Sequence, residues 1–261
     1  MTAEAHQEYD DNLMALLEAV WGEGFMSPGG TREVDRYLTG VDLRGCSVLD
    51  IGCGLGGVDI HLVKAHGAAR VTAIDIEDWL IDRCRKLAKK HGVDDRIEFV
   101  QVDPGPLPFA EQSFAAVTSK DSIIHIADKH GLAADVFRIL EPGGVFAASD
   151  WLAGYEGEPS AEMQAYIEAE GLDFNLASAE AYANALEAAG FVDIEIVDRN
   201  AWYREQARAE REQMGKALYE NLSARVGADF LARQIDVWDK MIIALDQGQL
   251  RPTHLRCKRP E

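Results

Sequence analysis

An aspartate and a histidine lie four positions apart, Asp121 and His125, in the mostly apolar stretch SKDSIIHIADK. A spacing of four brings two side chains onto one face of a helix. A histidine that an aspartate orients accepts a proton near neutral pH. The pair therefore predicts proton-transfer chemistry, although the same spacing also suits a structural contact on a helix face.

A second candidate group surrounds the motif VLDIGCGLGG, in which Gly52 and Gly54 let the backbone approach a ligand closely. Asp75 ends the next strand, 25 positions after Asp50 (75 − 50 = 25). An acid there can accept hydrogen bonds from two ribose hydroxyls. Asp103 ends the third strand, where it would meet an adenine amino group. The pattern predicts a site for a nucleoside-bearing cofactor.

Strand and helix patterns alternate around this motif, which predicts a mostly parallel sheet covered on both faces. The expected fold is α/β: a Rossmann-like, doubly wound, mostly parallel seven-stranded sheet with a helical lid insert. Ligands bind beyond the carboxyl ends of such strands, and the stretch with Asp121 and His125 follows the fourth strand. Thr31 is the expected N-cap of a helix that precedes the sheet.

The expected organisation has four parts. Residues 1–45 form N-terminal lid helices. Residues 46–200 form the cofactor-binding core, including a helical segment at 152–180. Residues 201–250 form a helical lid insert, because an almost wholly helical stretch of this length is unusual for a connection. Residues 251–261 return as the final strand of the core sheet.

Composition limits the classes of function. The formal net charge of −19 would repel phosphates, so no nucleic-acid partner is expected. The same charge attracts cationic substrates, although solubility alone also explains it. The four cysteines form no CxxC pair, and no metal site is expected. Without a long apolar run or a signal-peptide pattern, we expect no membrane partner and a cytoplasmic protein; oligomeric state is unreadable.

The glycine-rich motif with its leading acid, joined to the acids that end the next two strands, resembles the class I S-adenosylmethionine-dependent methyltransferases. Nicotinamide enzymes, the alternative, more often show GxGxxG. The resemblance implies S-adenosylmethionine as cofactor and S-adenosylhomocysteine as product. The implied contacts are Asp50, Gly52 and Gly54 with the methionine part, Asp75 with the ribose, and Asp103, Ile76 and Val102 with the adenine.

A narrower resemblance rests on YDDNLMALLEAVWGEGFMSPGG and SKDSIIHI. Both are similar to stretches of the phosphoethanolamine methyltransferases and of the sarcosine and dimethylglycine methyltransferases, which form glycine betaine. In those enzymes the Asp and His form a catalytic dyad, and a tyrosine before the first helix closes over the substrate. The resemblance implies catalytic roles for Asp121, His125 and Tyr9, and a place near the cofactor for Ser27.

The chain departs from the phosphobase enzymes after the fifth strand. Those enzymes carry a basic residue and then Gly-Tyr, which help grip the phosphate, whereas Glu170 and Leu172 occupy the matching positions here. Trp151 replaces a tyrosine and offers a face to a methylammonium group. We therefore expect a small amine, first an amino acid of the glycine betaine series, with Arg199 as partner of its carboxylate.

The expected function is methyl transfer from S-adenosylmethionine to the nitrogen of a small amine in a glycine betaine or choline-type pathway. An O-methyltransferase of a sugar or small-metabolite hydroxyl is the alternative, because LPFAEQSFAAV and RILEPGG resemble segments of such enzymes. A protein that binds S-adenosylmethionine without catalysis is the alternative from another class.

Overall fold

A computed structural model describes residues 11–172 and 174–261. Seven strands form one sheet, in the order β3-β2-β1-β4-β5-β7-β6. The first five strands pair in parallel, and β7 is antiparallel to both of its neighbours. This confirms the expected fold class. The strands are β1 (Ser47–Ile51), β2 (Arg70–Asp75), β3 (Ile97–Gln101), β4 (Phe114–Lys120), β5 (Leu140–Ala153), β6 (Val192–Asp198) and β7 (Leu250–Lys258).

Helices cover both faces of this sheet, and further helices form a separate core beside it. The helices of the described residues are α1 (Asp11–Trp21), α2 (Gly30–Tyr37), α3 (Gly57–Lys64), α4 (Asp78–His91), α5 (Lys129–Ile139), α6 (Ala161–Glu170), α7 (Ala179–Ala189), α8 (Asn200–Gly215), α9 (Tyr219–Val226) and α10 (Ala228–Asp246). A 3-10 turn, Ile123–His125, follows β4.

Successive strand residues point to opposite faces of a sheet, and β1 shows the result. Val48 belongs to the apolar core that α2, α3 and α4 form on one face. Leu49 belongs to the core that α5 and α7 form on the other. A central parallel strand is therefore apolar on both sides, as the sequence of β1 predicts.

A third apolar core is built mainly from helices. It joins α1, α6, α8, α9 and α10 through one buried side chain from each, Leu16, Met163, Tyr203, Leu222 and Leu231. The expectation that residues 201–248 are almost wholly helical agrees with α8, α9 and α10. The division into four parts stays a prediction.

The expectation for Thr31 is wrong. Gly29, with a φ of 84°, precedes the first residue of α2, so the helix begins before Thr31. A glycine supplies this left-handed conformation without steric cost, and the SPGG turn therefore starts the helix earlier than a threonine cap would. Among the described residues, the helices are too short or too polar to cross a membrane.

Candidate active site

Asp121 lies directly after β4, with a φ of 56° that non-glycine residues rarely adopt. Its amide donates to the Ser149 carbonyl over 2.7 Å. Its Oδ1 accepts from Ser149 Oγ at 2.7 Å, and its Oδ2 accepts from Lys120 Nζ at 2.7 Å. These bonds fix the direction of the carboxylate and hold the strained backbone in place.

His125 ends the 3-10 turn rather than lying on an α-helix with Asp121. The predicted helix face is therefore wrong, because the left-handed backbone of Asp121 interrupts helical geometry before the turn begins. The two side chains nevertheless line the same cavity. The His125 ring lies beside Phe174, with a centroid distance of 6.0 Å and an angle of 41° between the ring planes.

A buried polar network fixes the 3-10 turn. Oδ1 of Asp150 accepts from the amide of Ile124 at 3.0 Å, and its other oxygen accepts from the Tyr182 hydroxyl. Lys129 Nζ donates to carbonyls at both ends of the turn, at 2.7 and 2.5 Å. Burial raises the pKa of Asp150 to about 7 and lowers the pKa of Lys129. Sequence reasoning missed this network, although Asp150 ends the polar stretch of β5.

The cavity beside Asp121 and His125 has a volume of about 80 Å³. Its side chains come from the loop after α1, the turn after β4, and the helices of the third core. The lining residues that matter below are Trp21, Met26, Ser27, Trp151, Tyr166, Glu170, Phe174, Tyr203 and Trp238. Sequence reasoning placed Trp151 there but missed most of the other aromatic residues. Their spacing along helices suits packing in a core as well as it suits lining a cavity.

The cavity adjoins the glycine-rich turn through the loop after α1. Met26 lines the cavity, and its Sδ lies 3.1 Å from the place of a Cβ on Gly54. Ser27 Oγ accepts a hydrogen bond from Lys120 Nζ at 2.6 Å. Ser27 and Asp121 therefore share the Lys120 ammonium group, and the expected place of Ser27 near the cofactor stays a prediction.

Gly52 allows the segment after β4 to pack on the turn. Its φ is 78°, and a Cβ there would lie 1.8 Å from Ser122 Oγ. Any larger residue would push Ser122 away, and Asp121 with it. Gly52 thus links the position of the glycine-rich turn to that of the candidate dyad, Asp121 and His125.

Asp75 occupies the carboxyl end of β2, where the expected contact with a ribose requires an acceptor. Its oxygens accept from the amides of Gly54 at 2.9 Å and Glu77 at 3.1 Å, which leaves acceptor capacity for hydroxyl donors. Burial raises the pKa of Asp75, and the hydrogen bonds from the amides of Gly54 and Glu77 offset only part of this rise. Ile76 beside it is 50% exposed, an apolar surface suited to a base. Asp103 is exposed after β3, and the amide of Val102 donates to the Asp75 carbonyl at 3.0 Å.

Asp50 does not lie where a direct cofactor contact requires it. The residue is 1% exposed, and its carboxylate oxygens have no accessible surface. It lies below the turn beside Asp59 of α3, which is also buried. Burial raises the pKa of Asp50 to about 7, and burial next to Asp50 raises that of Asp59 well above its usual range. The structure therefore replaces the expected contact of Asp50 with the cofactor by a position that supports the glycine-rich turn from below.

Arg199 is also placed differently from the expectation. Its guanidinium donates to both oxygens of buried Glu33, at 2.9 and 3.3 Å, and stacks on Trp202 at 4.8 Å. Arg199 is not among the residues that line the cavity beside Asp121 and His125. The structure therefore does not support Arg199 as partner of a substrate carboxylate. Tyr9 lies outside the described residues.

A separate cluster on the outer surface contains ligand types that metals use. Oδ1 of Asp35 lies 2.6 Å from Nε2 of His61 and 2.9 Å from Nε2 of His66. Burial raises the pKa of Asp35, but the hydrogen bonds from the two histidines outweigh it and lower the pKa. Because Asp35 belongs to α2 and His61 to α3, these bonds hold the two helices together.

The chain is similar to known methyltransferases. A family model described as "Methyltransferase domain" matches residues 48–144. Phosphoethanolamine N-methyltransferase 1 of Triticum aestivum is 34% identical over 193 residues, 74% of this chain and 38% of that protein. Erythromycin 3''-O-methyltransferase of Saccharopolyspora erythraea is 29% identical over 214 residues, 74% of this chain and 68% of that protein.

Solved structures share the fold. Phosphoethanolamine N-methyltransferase 2 of Haemonchus contortus, in complex with phosphomonomethylethanolamine and S-adenosylhomocysteine, superposes with a TM-score of 0.89 at 23% identity. The match covers 98% of this chain and 59% of that chain. The chain thus spans 38% and 59% of these two phosphoethanolamine methyltransferases, less than two thirds of each. The fold, the matched domain and the cofactor turn agree: the chain contains the methyltransferase domain of the class I S-adenosylmethionine-dependent methyltransferases.

Proposed function

We propose that the chain transfers a methyl group to the nitrogen of a small amine. The observation that supports this most is that Asp121 and His125 open onto one aromatic cavity next to the glycine-rich turn. Relatives named as phosphoethanolamine N-methyltransferases support the same class of acceptor.

The chain's own residues would prepare the acceptor. Bound S-adenosylmethionine supplies an electrophilic methyl group on a sulfonium. An alkylammonium ion has a pKa of about 10.4, so it must lose a proton before its nitrogen can attack. We assign that proton to His125. Asp121, fixed by Ser149 and Lys120, would orient the imidazole and offset the charge it gains.

The cavity would serve alignment as well as proton transfer. Aromatic and aliphatic side chains surround the acceptor and keep bulk water away from it. Holding donor and acceptor in line supplies much of the acceleration in a direct displacement. A pathway that ends in a choline-type compound suits such an acceptor.

A hydroxyl acceptor is the second candidate. The match to an O-methyltransferase of Saccharopolyspora erythraea favours it, and a hydroxyl also needs a base. Asp121 and His125 do not distinguish the two chemistries.

Mass spectrometry of small-molecule reactions tests the proposal. The protein is incubated with S-adenosylmethionine and a panel of glycine, sarcosine, dimethylglycine, ethanolamine, phosphoethanolamine and sugars. We expect a methylated amine together with S-adenosylhomocysteine. Methylation of hydroxyls alone would transfer the assignment to O-methylation, and cofactor binding without any product would indicate a non-catalytic binder.

The His125→Ala variant tests the assigned base. We expect kcat to fall by about 100-fold or more, as for loss of a general base. His130→Ala is the matched control, since His130 is exposed at the start of α5, and it should keep wild-type kcat. Full activity of His125→Ala on the true substrate would remove His125 from the mechanism.

A further inference from the structure

The charges around the cavity are one-sided. Asp121 and Glu170 line it, and its described lining contains neither lysine nor arginine. The remaining stretches, residues 1–10 and 173, cannot add either type, because their sequence contains none. An anionic group on a substrate would thus meet acids without a lysine or arginine to pair with.

Lys120 and Arg199, two basic side chains beside the cavity, are already paired. Lys120 donates to Asp121 and to Ser27, at 2.7 and 2.6 Å. Arg199 donates to Glu33 and lies outside the lining. Neither is available to a phosphate or carboxylate without breaking an internal ion pair.

Glu170 is the unbalanced charge of the cavity. It ends α6, and no hydrogen bond or ion pair joins it to another described residue. Burial raises its pKa to about 7. A cation nearby would favour the ionised carboxylate, because opposite charges stabilise each other most where water is scarce.

Aromatic rings in the lining also favour a cationic substrate. Trp21 lies 5.7 Å from Trp238, and Trp151 lies 5.1 Å from Tyr203, as ring centroids. The faces of such rings attract alkylammonium ions. Other lining rings are Tyr166 and Phe174.

Glu210 removes two donors that an anion would need. The Tyr203 hydroxyl and Trp238 Nε1 both donate to its Oε2, at 3.1 and 3.2 Å. Glu210 is 1% exposed, so these bonds are internal. The rings of Tyr203 and Trp238 therefore offer the cavity apolar and π surface rather than hydrogen-bond donors.

From these contacts we propose that the substrate is an alkylammonium ion without an anionic group, and that Glu170 and the aromatic rings select it. This substrate class rests on the proposed function and narrows it. Amines that carry a phosphate or carboxylate, including those of the named relatives, are excluded by Glu170. An amino alcohol such as ethanolamine, or its N-methylated forms, has the required chemistry.

Binding of product-like ions tests the proposal without depending on turnover. Choline, phosphocholine and glycine betaine are titrated against the protein saturated with S-adenosylhomocysteine, and tryptophan fluorescence reports binding. We expect the Kd of choline to be at least about tenfold lower than the other two, as an uncompensated charge dictates. Equal or tighter binding of phosphocholine or glycine betaine, or no binding of choline, would overturn the proposal.

Two variants assign the selectivity to Glu170. Glu170→Gln should raise the Kd of choline about tenfold and raise KM for the amine more than it lowers kcat. Glu168→Gln, exposed on the same helix, should change neither. Unchanged choline binding by Glu170→Gln would remove Glu170 from selectivity. Selective choline binding without methylation of any amine would leave this proposal standing and refute the proposed function.

Discussion

Buried acids lie directly below the cofactor turn. Asp50 and Asp59 are 1% and 0% exposed, and their carboxyl groups lie against each other. The charged form of an acid is costly in such a place, so the folded protein favours the protonated acid. These residues make the stability of the protein depend on pH.

The Asp50→Asn variant should become more stable relative to wild type as the pH rises. The pKa of Asp50 is about 7 in the folded protein, against about 4 in an unfolded chain. Since the folded pKa is raised, the contribution of Asp50 is fully present below about pH 4 and is lost as the pH rises through about 7. Asparagine does not titrate, so the variant has no stability contribution at this position that is lost as the pH rises.

Urea unfolding at several pH values checks this prediction. The difference in midpoint between Asp50→Asn and wild type should grow from pH 4 to 7 and level off above, given the pKa range of about 4 to 7. Asp95→Asn, on an exposed loop, should show no such growth. A constant difference across this pH range would contradict a raised pKa for Asp50.

Individual residues were predictable where the motif fixes the backbone and less so where packing decides. The order of strands and turns was enough to predict Asp75 at the carboxyl end of β2 and Asp121 beside His125 at one cavity. The sequence did not reveal that the Asp50 side chain is buried below the glycine-rich turn, or that Arg199 is paired with Glu33. Those outcomes depend on partners 9 and 166 positions away, Asp59 and Arg199 respectively, which no local pattern reports.

At the scale of elements, α2 is tied to the far side of the chain by one buried acid. Glu33 accepts from Arg199 before α8 and lies 2.8 Å from His254 Nε2 on β7. Burial raises the pKa of Glu33, but the hydrogen bonds from His254 and Arg199 outweigh it and lower the pKa. The acid is therefore ionised and paired at neutral pH.

Glu33→Ala should destabilise the fold by about 3–5 kcal/mol, as for loss of one partner in a buried ion pair. Arg199 and His254 would remain buried without their carboxylate. The free energy of unfolding in urea measures the loss. Glu111→Ala, on an exposed loop, should stay within about 0.5 kcal/mol of wild type. A similarly small change for Glu33→Ala would show that the cluster adds no net stability.

Elements with regular periodicity were predicted well, and irregular ones were not. The apolar runs of the strands and the repeating patterns of α4 and α10 follow from burial on one or both faces. The 3-10 turn after β4 depends instead on Asp150 and Lys129, buried donors and acceptors that reach its backbone from other elements. A helical spacing between Asp121 and His125 therefore suggested the correct neighbourhood for the wrong reason.

The whole molecule has a formal charge of −19, and like charges repel one another across its surface. Salt screens this repulsion, with a Debye length that falls from about 30 Å at 0.01 M to about 3 Å at 1 M. We expect Tm to rise by several degrees between low salt and about 1 M sodium chloride.

Differential scanning calorimetry across sodium chloride concentrations checks the effect, which should be complete within the first few tenths of a molar if screening causes it. Sucrose at equal osmolality is the control for preferential exclusion. A Tm that falls with salt would mean that favourable ion pairs outweigh the repulsion.

The place of β7 in the sheet has a consequence for biosynthesis. This strand lies between β5 and β6, although both precede it in the chain. While a ribosome is still adding residues before 250, β5 has an open edge toward an absent neighbour, and β6 has no partner in the sheet. Unpaired strand edges promote aggregation during folding. The nascent chain therefore spends most of its synthesis with an incomplete sheet, and a chaperone that covers exposed strand edges would act before Lys258 is made.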